Sequence, residues 1–155
     1  MRGCLKLVVL WAVTALVPVP AQASHYPLAN VLPADAAEKL AKAGLRTTSD
    51  LLDQGANPAD RARLAKLTGL AEKQLKEWVQ MCDLVRIQGV GPVMVRLLAT
   101  VKITSVALLA KQKAAALYPR VMQANDKAKV TQNPPSEKHL EHWIEQAKKL
   151  KVVVR

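Results

Sequence analysis

Phenylalanine is absent from this 155-residue chain, and aromatic residues make up only 3% of it. β-Sandwiches and barrels fill their inward faces with β-branched and aromatic side chains. A sequence that is 50% hydrophobic with so few rings points instead to Leu, Ala, Val and Ile packed between helices. Cysteine is limited to Cys4 and Cys82, too few for a disulfide framework. Glycine is scarce at six residues, so each marks a place where the backbone has a special demand. Acids are outnumbered, 12 Asp and Glu against 23 Lys and Arg, for a formal net charge of +11. Such an excess selects for anionic partners: nucleic acid, phosphorylated lipid or an envelope polymer. The length suits one domain or two very small ones.

The first segment reads as an address. Arg2 and Lys6 precede an apolar run over Leu7 to Val17, followed by Pro18, Pro20 and Ala21-Gln22-Ala23. A basic start, a short apolar stretch and an A-x-A site define a cleaved secretory signal over residues 1–23. The run stops well short of the roughly 20 residues of a membrane-spanning helix. Cys4 lies ahead of the apolar run, where a lipoprotein cysteine cannot be. The expectation is an exported protein, periplasmic or secreted, whose mature chain covers residues 24–155 with one cysteine and a net charge of +9.

Within the mature chain a pattern repeats. Leu75, Trp78, Val79 and Cys82 share one helical stripe, and Leu140, Trp143, Ile144 and Ala147 repeat it 65 positions later. Upstream, Leu40, Gly44, Leu45, Thr47 and Leu51 are matched at an offset of 58 by Leu98, Lys102, Ile103, Ser105 and Leu109. The expected fold is all-α, with two tandem units over about residues 28–84 and 85–150, each a short helix pair closed by a Trp-containing helix. Gly69 and Pro134-Pro135 mark turns before the Trp helices, and Ser136 is a suitable N-cap. Asn57-Pro58 reads as a break, Asn125 to Pro135 as a mobile loop, and Lys151 to Arg155 as the one stretch with alternating character.

The second unit opens on Ile87-Gln88-Gly89-Val90-Gly91-Pro92. Two glycines permit a tight turn and close approach of a ligand, and free N–H groups at the following helix start face an anion. This apolar-x-Gly-apolar-Gly pattern resembles the helix-hairpin-helix. The order over about Leu28 to Leu150 is similar to a bacterial exported family of tandem helix-hairpin-helix domains of the polymerase-beta type, a family of unknown function. The resemblance implies an all-helical fold and, in members that bind DNA, backbone amides that hold a duplex phosphate independently of sequence. Ala29-Asn30-Val31-Leu32-Pro33 in the first unit has no glycine, so no phosphate cradle is expected there. Val93 stands where DNA-binding relatives often carry Lys or Arg.

Charge is divided unevenly. Residues 24–88 carry a net +1 and residues 89–155 a net +8, so the basic excess lies with the glycine-bearing turn. Such an electrostatic footprint suits a sequence-independent nucleic-acid binder. The candidate nucleic-acid contacts are Gly89 and Gly91 shaping the turn, the amides of Val90, Gly91 and Val93, and the charges of Arg96 and Lys102. The alternative is a protein or envelope contact through an exposed apolar edge at Val93 and Val95, since counting 100° per residue puts Val95 away from Val90, Met94, Leu97, Leu98 and Val101. The partners expected are therefore DNA or another polyanion, or a protein, with no small-molecule substrate.

Other constellations are weaker. His139 and His142 stand i, i+3 without a third ligand, so no metal is expected. Cys82 aligns with Ala147 and reads as core, as do Trp78 and Trp143. Asp50 and Asp53 have no accompanying base or nucleophile. The chain reads as a non-enzyme without a cofactor. Intact-mass measurement on envelope or culture fractions should place the mature N-terminus at Ser24, and retention of residues 1–23 would contradict the export reading.

Overall fold

The computed structural model describes residues 25–155, so the expected signal segment and its cleavage site lie outside the described residues. Eight α-helices follow a 3-10 turn at Leu28–Asn30: α1 Ala34–Lys42, α2 Thr48–Gly55, α3 Pro58–Thr68, α4 Glu72–Leu84, α5 Pro92–Thr100, α6 Val106–Ala110, α7 Ala114–Ala128 and α8 Glu137–Lys149. The protein is all-α, and among the described residues the only β pairing is an isolated bridge between Pro27 and Thr47.

Helix starts are written in short polar side chains. The Thr47 hydroxyl accepts from the Asp50 amide at 3.2 Å, and the Asp50 carboxylate accepts from the Arg46 and Thr47 amides at 3.0 and 2.9 Å. This capping box satisfies donors that α2 would otherwise leave open, and it holds the Asp50 carboxyl below its ordinary pKa, the Arg46 amide contributing most. Ser105 caps α6 and Ser136 caps α8. Asn57 caps α3 with Pro58 in its first turn, so the expected break is in fact a helix start. There is therefore more helix than two helix pairs and two Trp helices: α3 and α7 were hidden by Asn57-Pro58 and by Pro119, which lies inside α7.

The stretch from Asn125 to Pro135 also departs from expectation. α7 runs to Ala128, and buried Asn125 clasps the returning chain, accepting from the Thr131 amide at 3.0 Å and donating to the Thr131 carbonyl at 2.9 Å. Nor do residues 151–155 form a strand. The Lys151 carbonyl accepts from Arg86 at 3.3 Å, and the Arg155 amide reaches the end of α2, donating to the Ala56 carbonyl at 3.0 Å.

Packing joins α2 to α4, α3 to α4, α6 to α8, α7 to α8 and α5 to α7, with α4 also touching α6. One contiguous core results, built mainly from Leu and Val with Trp78 and Trp143 buried in it. Gly55 permits the α2–α4 approach, because a Cβ there would lie 2.5 Å from Val79 Cγ2. Cys82 is fully enclosed, and burial pushes its thiol up to about 12, which keeps it protonated at neutral pH. Asp83 is buried beside Arg86 at 2.6 Å. Burial raises its carboxyl pKa more than the guanidinium lowers it.

Arg61 is the least expected core residue, 2% exposed with no Asp or Glu partner among the described residues. Its guanidinium donates to the carbonyls of Gly55 at 2.7 Å and Ala56 at 2.9 Å and to the backbone oxygen of Arg155, while its buried Nε has no partner among the described residues. The end of α2, with its orphan carbonyls and negative dipole, serves as its counterion.

With so few rings available, the two indoles fill volume that aliphatic side chains cannot. Trp78→Ala and Trp143→Ala should each destabilise by about 3 to 5 kcal/mol in chemical denaturation. A nearly neutral result at either position would mean that its ring is not core.

Candidate nucleic-acid interface

Between α4 and α5 the chain makes a closed turn. The Val90 amide donates to the Ile87 carbonyl at 3.0 Å, and Gly89 at the third position has φ 89°. A positive φ there is what a type II turn requires. A second demand acts on the same residue: a Cβ on Gly89 would lie 3.0 Å from Nε1 of Trp143. The indole of α8 thus brings its Nε1 edge close against the turn at Gly89. Gln146, one turn further along α8, accepts from the Gln88 amide at 2.9 Å and donates to the Gln88 carbonyl at 3.3 Å. The turn is pinned to α8 by a ring and a bidentate amide.

This geometry changes the roles expected of the candidate residues. Gly91 is the N-cap of α5 with φ −91° and ψ 179°, extended backbone open to any residue, and a Cβ there would meet only Tyr26 Oη at 3.8 Å. The two glycines are therefore not equivalent. Val90 is not a free donor, since its amide is used in the turn and its side chain is buried. The amides of Gly91 and Val93, and that of Met94, have no backbone acceptor among the described residues. They stand at the positive end of the nine-residue α5.

Val95 corrects a second expectation. It is fully buried, because the core covers an arc of α5 that runs from Leu97 through Leu98 to Val95. The supposed exposed edge reduces to Val93, 36% exposed, with no apolar neighbour from Val95. Arg96 is exposed, but its guanidinium donates to the Asn30 carbonyl, fastening α5 to the 3-10 turn. Lys102 does not join the turn at all. It follows the opposite end of α5, roughly 13 Å away along the helix axis, and lines a separate groove with Arg120 and Lys127.

His139 enters the picture where sequence pairing with His142 had suggested only half a metal site. Its Nδ1 accepts from the Ser136 amide at 3.3 Å, and its ring stacks on Trp143 with centroids 6.5 Å apart. Together with Gly89, Met94, Asn133, Pro134 and Pro135 the two rings line a shallow depression of about 310 Å³ beside the free amides. Among the described residues no three His, Cys, Asp or Glu side chains gather as a metal site.

A family model described as a domain of unknown function, DUF4332, matches residues 31–150. No curated protein and no solved structure matches the chain significantly.

The unequal glycines can be tested directly. Gly89→Ala combines a left-handed backbone with a contact on Trp143 and should destabilise by at least about 1 kcal/mol. Gly91→Ala should stay within about 0.5 kcal/mol of the parent. Equal losses in thermal or urea unfolding would refute the assignment of the turn to Gly89 alone.

Proposed function

The chain belongs to the DUF4332 family, a domain of unknown function, and we propose that it is an exported, non-catalytic module that binds the phosphate backbone of nucleic acid without regard to base sequence. The contact is the turn at Ile87–Gly91 and the start of α5. The observation that carries the reading is a group of three unpaired amides, those of Gly91, Val93 and Met94, at a helix N-terminus. Backbone N–H groups and the helix dipole together favour a phosphate oxygen over water. They lie in the half of the mature chain that carries +8, where counterion release would supply most of the affinity.

On this reading the glycine-bearing turn opens the second of two tandem helix-hairpin-helix units, over about residues 28–84 and 85–150, closed by the Trp helices α4 and α8 respectively. The repeated order of capped helices, Thr47 before α2 and Ser105 before α6, supports that division. The first unit would not bind phosphate: its 3-10 turn lacks glycine, and its Asn30 carbonyl is engaged by Arg96. Arg96 then adds charge one turn from the amides from a restrained position, and Gly89 acts by shaping the turn. A non-catalytic role is supported by the enclosure of Cys82 and by the use of Asp50 as a cap.

Substitutions of opposite sign at Val93 discriminate between ligands. Val93→Glu places an acid in the first turn of α5, where the helix tolerates or welcomes it, yet it should abolish duplex binding. Val93→Lys should tighten binding and steepen the salt dependence by about one unit. A partner that docks on the apolar side chain would be weakened by both. Absence of duplex binding at about 50 mM salt, where phosphate contacts are strong, would overturn the proposal.

A further inference from the structure

We propose that the groove between the end of α5 and the outer face of α7 is a second phosphate subsite, which holds another backbone phosphate of the same nucleic acid. This inference rests on the function proposed above. The groove encloses about 460 Å³ and is lined by Lys102, Arg120 and Lys127 with Thr100 and Gln123, and by no acid. Arg120 and Lys127 are seven residues apart on α7, so two helical turns bring them to one face. The Arg120 guanidinium is held in place, donating to the Val101 carbonyl at 3.0 Å and to Gln112 Oε1 at 3.3 Å. Two of its five N–H donors are used in this way. None of the three cations forms an ion pair with a carboxylate among the described residues.

The backbone at Lys102 is a second, independent observation. α5 ends with the Lys102 amide donating to Ala99 and the Ile103 amide to Leu98, at 3.0 Å each. α1 ends with the same pair of bonds, from Gly44 to Ala41 and from Leu45 to Leu40. This termination needs a left-handed residue, and glycine supplies it without strain. Gly44 does so with φ 88°, whereas the end of α5 forces a lysine to φ 65°. The end of α7 does the same with Lys129, φ 50°, where α3 ends on Gly69. Both described non-glycine residues with positive φ are thus lysines, at the ends of the two helices that border the groove. Cations at helix C-termini also offset the dipole, but a Lys within the preceding turn would do that without a strained backbone.

The groove and the free amides lie at opposite ends of α5, roughly 13 Å apart, which is the axial rise of about four nucleotides of one strand. On this proposal one duplex reaches both.

The test is a salt titration of duplex DNA binding by the full mature chain. Lys102→Gly with Lys127→Ala should lower the salt slope by about two units and weaken binding at least tenfold at low salt, while Lys102→Gly alone raises the melting temperature by removing strain. Lys39→Ala with Lys66→Ala removes the same charge from exposed positions elsewhere and should leave the slope unchanged. If the groove variant behaves like this control while Val93→Glu still abolishes binding, the subsite is refuted and the turn survives. If Val93→Glu binds normally and the groove variant does not, the turn fails and the groove stands as the phosphate site. A parent protein that binds no duplex at about 50 mM salt overturns both.

Discussion

The indole of Trp143 can lie on the chain between α4 and α5 only because residue 89 has no Cβ. That contact seats the chain between α4 and α5 on α8. It sets the turn against α8, Gln146 then fixes Gln88 from both sides, and the direction in which α5 leaves the turn follows. The amides of Gly91, Val93 and Met94 are left without an internal acceptor as a by-product of this arrangement. Of their neighbours on the turn, the Gln88 and Val90 amides are used in internal bonds, and Pro92 has no amide to offer. A chain poor in aromatics has thus committed one of its few large rings to shaping a surface feature from below.

The candidate surface is divided by α5. At one end lie neutral donors on rigid backbone, and at the other lie full charges on long side chains. The two act differently on an anion. Amides give direction and short reach, whereas lysines give attraction that salt screens. Arg96, between them, has its guanidinium engaged with the Asn30 carbonyl. This ties the surface to the 3-10 turn, so a distortion near Leu28 would be felt at α5.

Much of the helical frame was legible in sequence because its signals are local. The stripe around Trp78 and Trp143, the Ser136 cap and the need for glycine at 89 each depend on neighbours within a few residues or on one simple periodicity. The misreadings share a different origin. Val95 looked exposed because a single apolar stripe was assumed, whereas the core wraps a wider arc of α5. Gly91 looked conformationally necessary because it sits in a motif, yet its backbone is ordinary extended chain. α3 and α7 were masked by prolines that start or continue helices, and the clasp of Asn125 on Thr131 made order out of a polar stretch. Arg61 was unreadable for the strongest reason, since its partners are carbonyl groups and any residue type can supply a carbonyl.

Arg61 also bears on the order in which the chain can acquire its structure. One of its three acceptors, the Arg155 backbone oxygen, is 94 residues away, and the Arg155 amide returns to Ala56 in the same place. Until that distant segment arrives, the end of α2 carries a buried guanidinium with an incomplete set of acceptors. Closing so long a loop is entropically slow compared with winding any of the helices. The first helices can therefore form early, but their junction is sealed late, by a segment 94 residues further along the chain. A half-synthesised chain lacks the seal, and in the finished protein it makes loss of structure at residues 150–155 and fraying of α2 a single event.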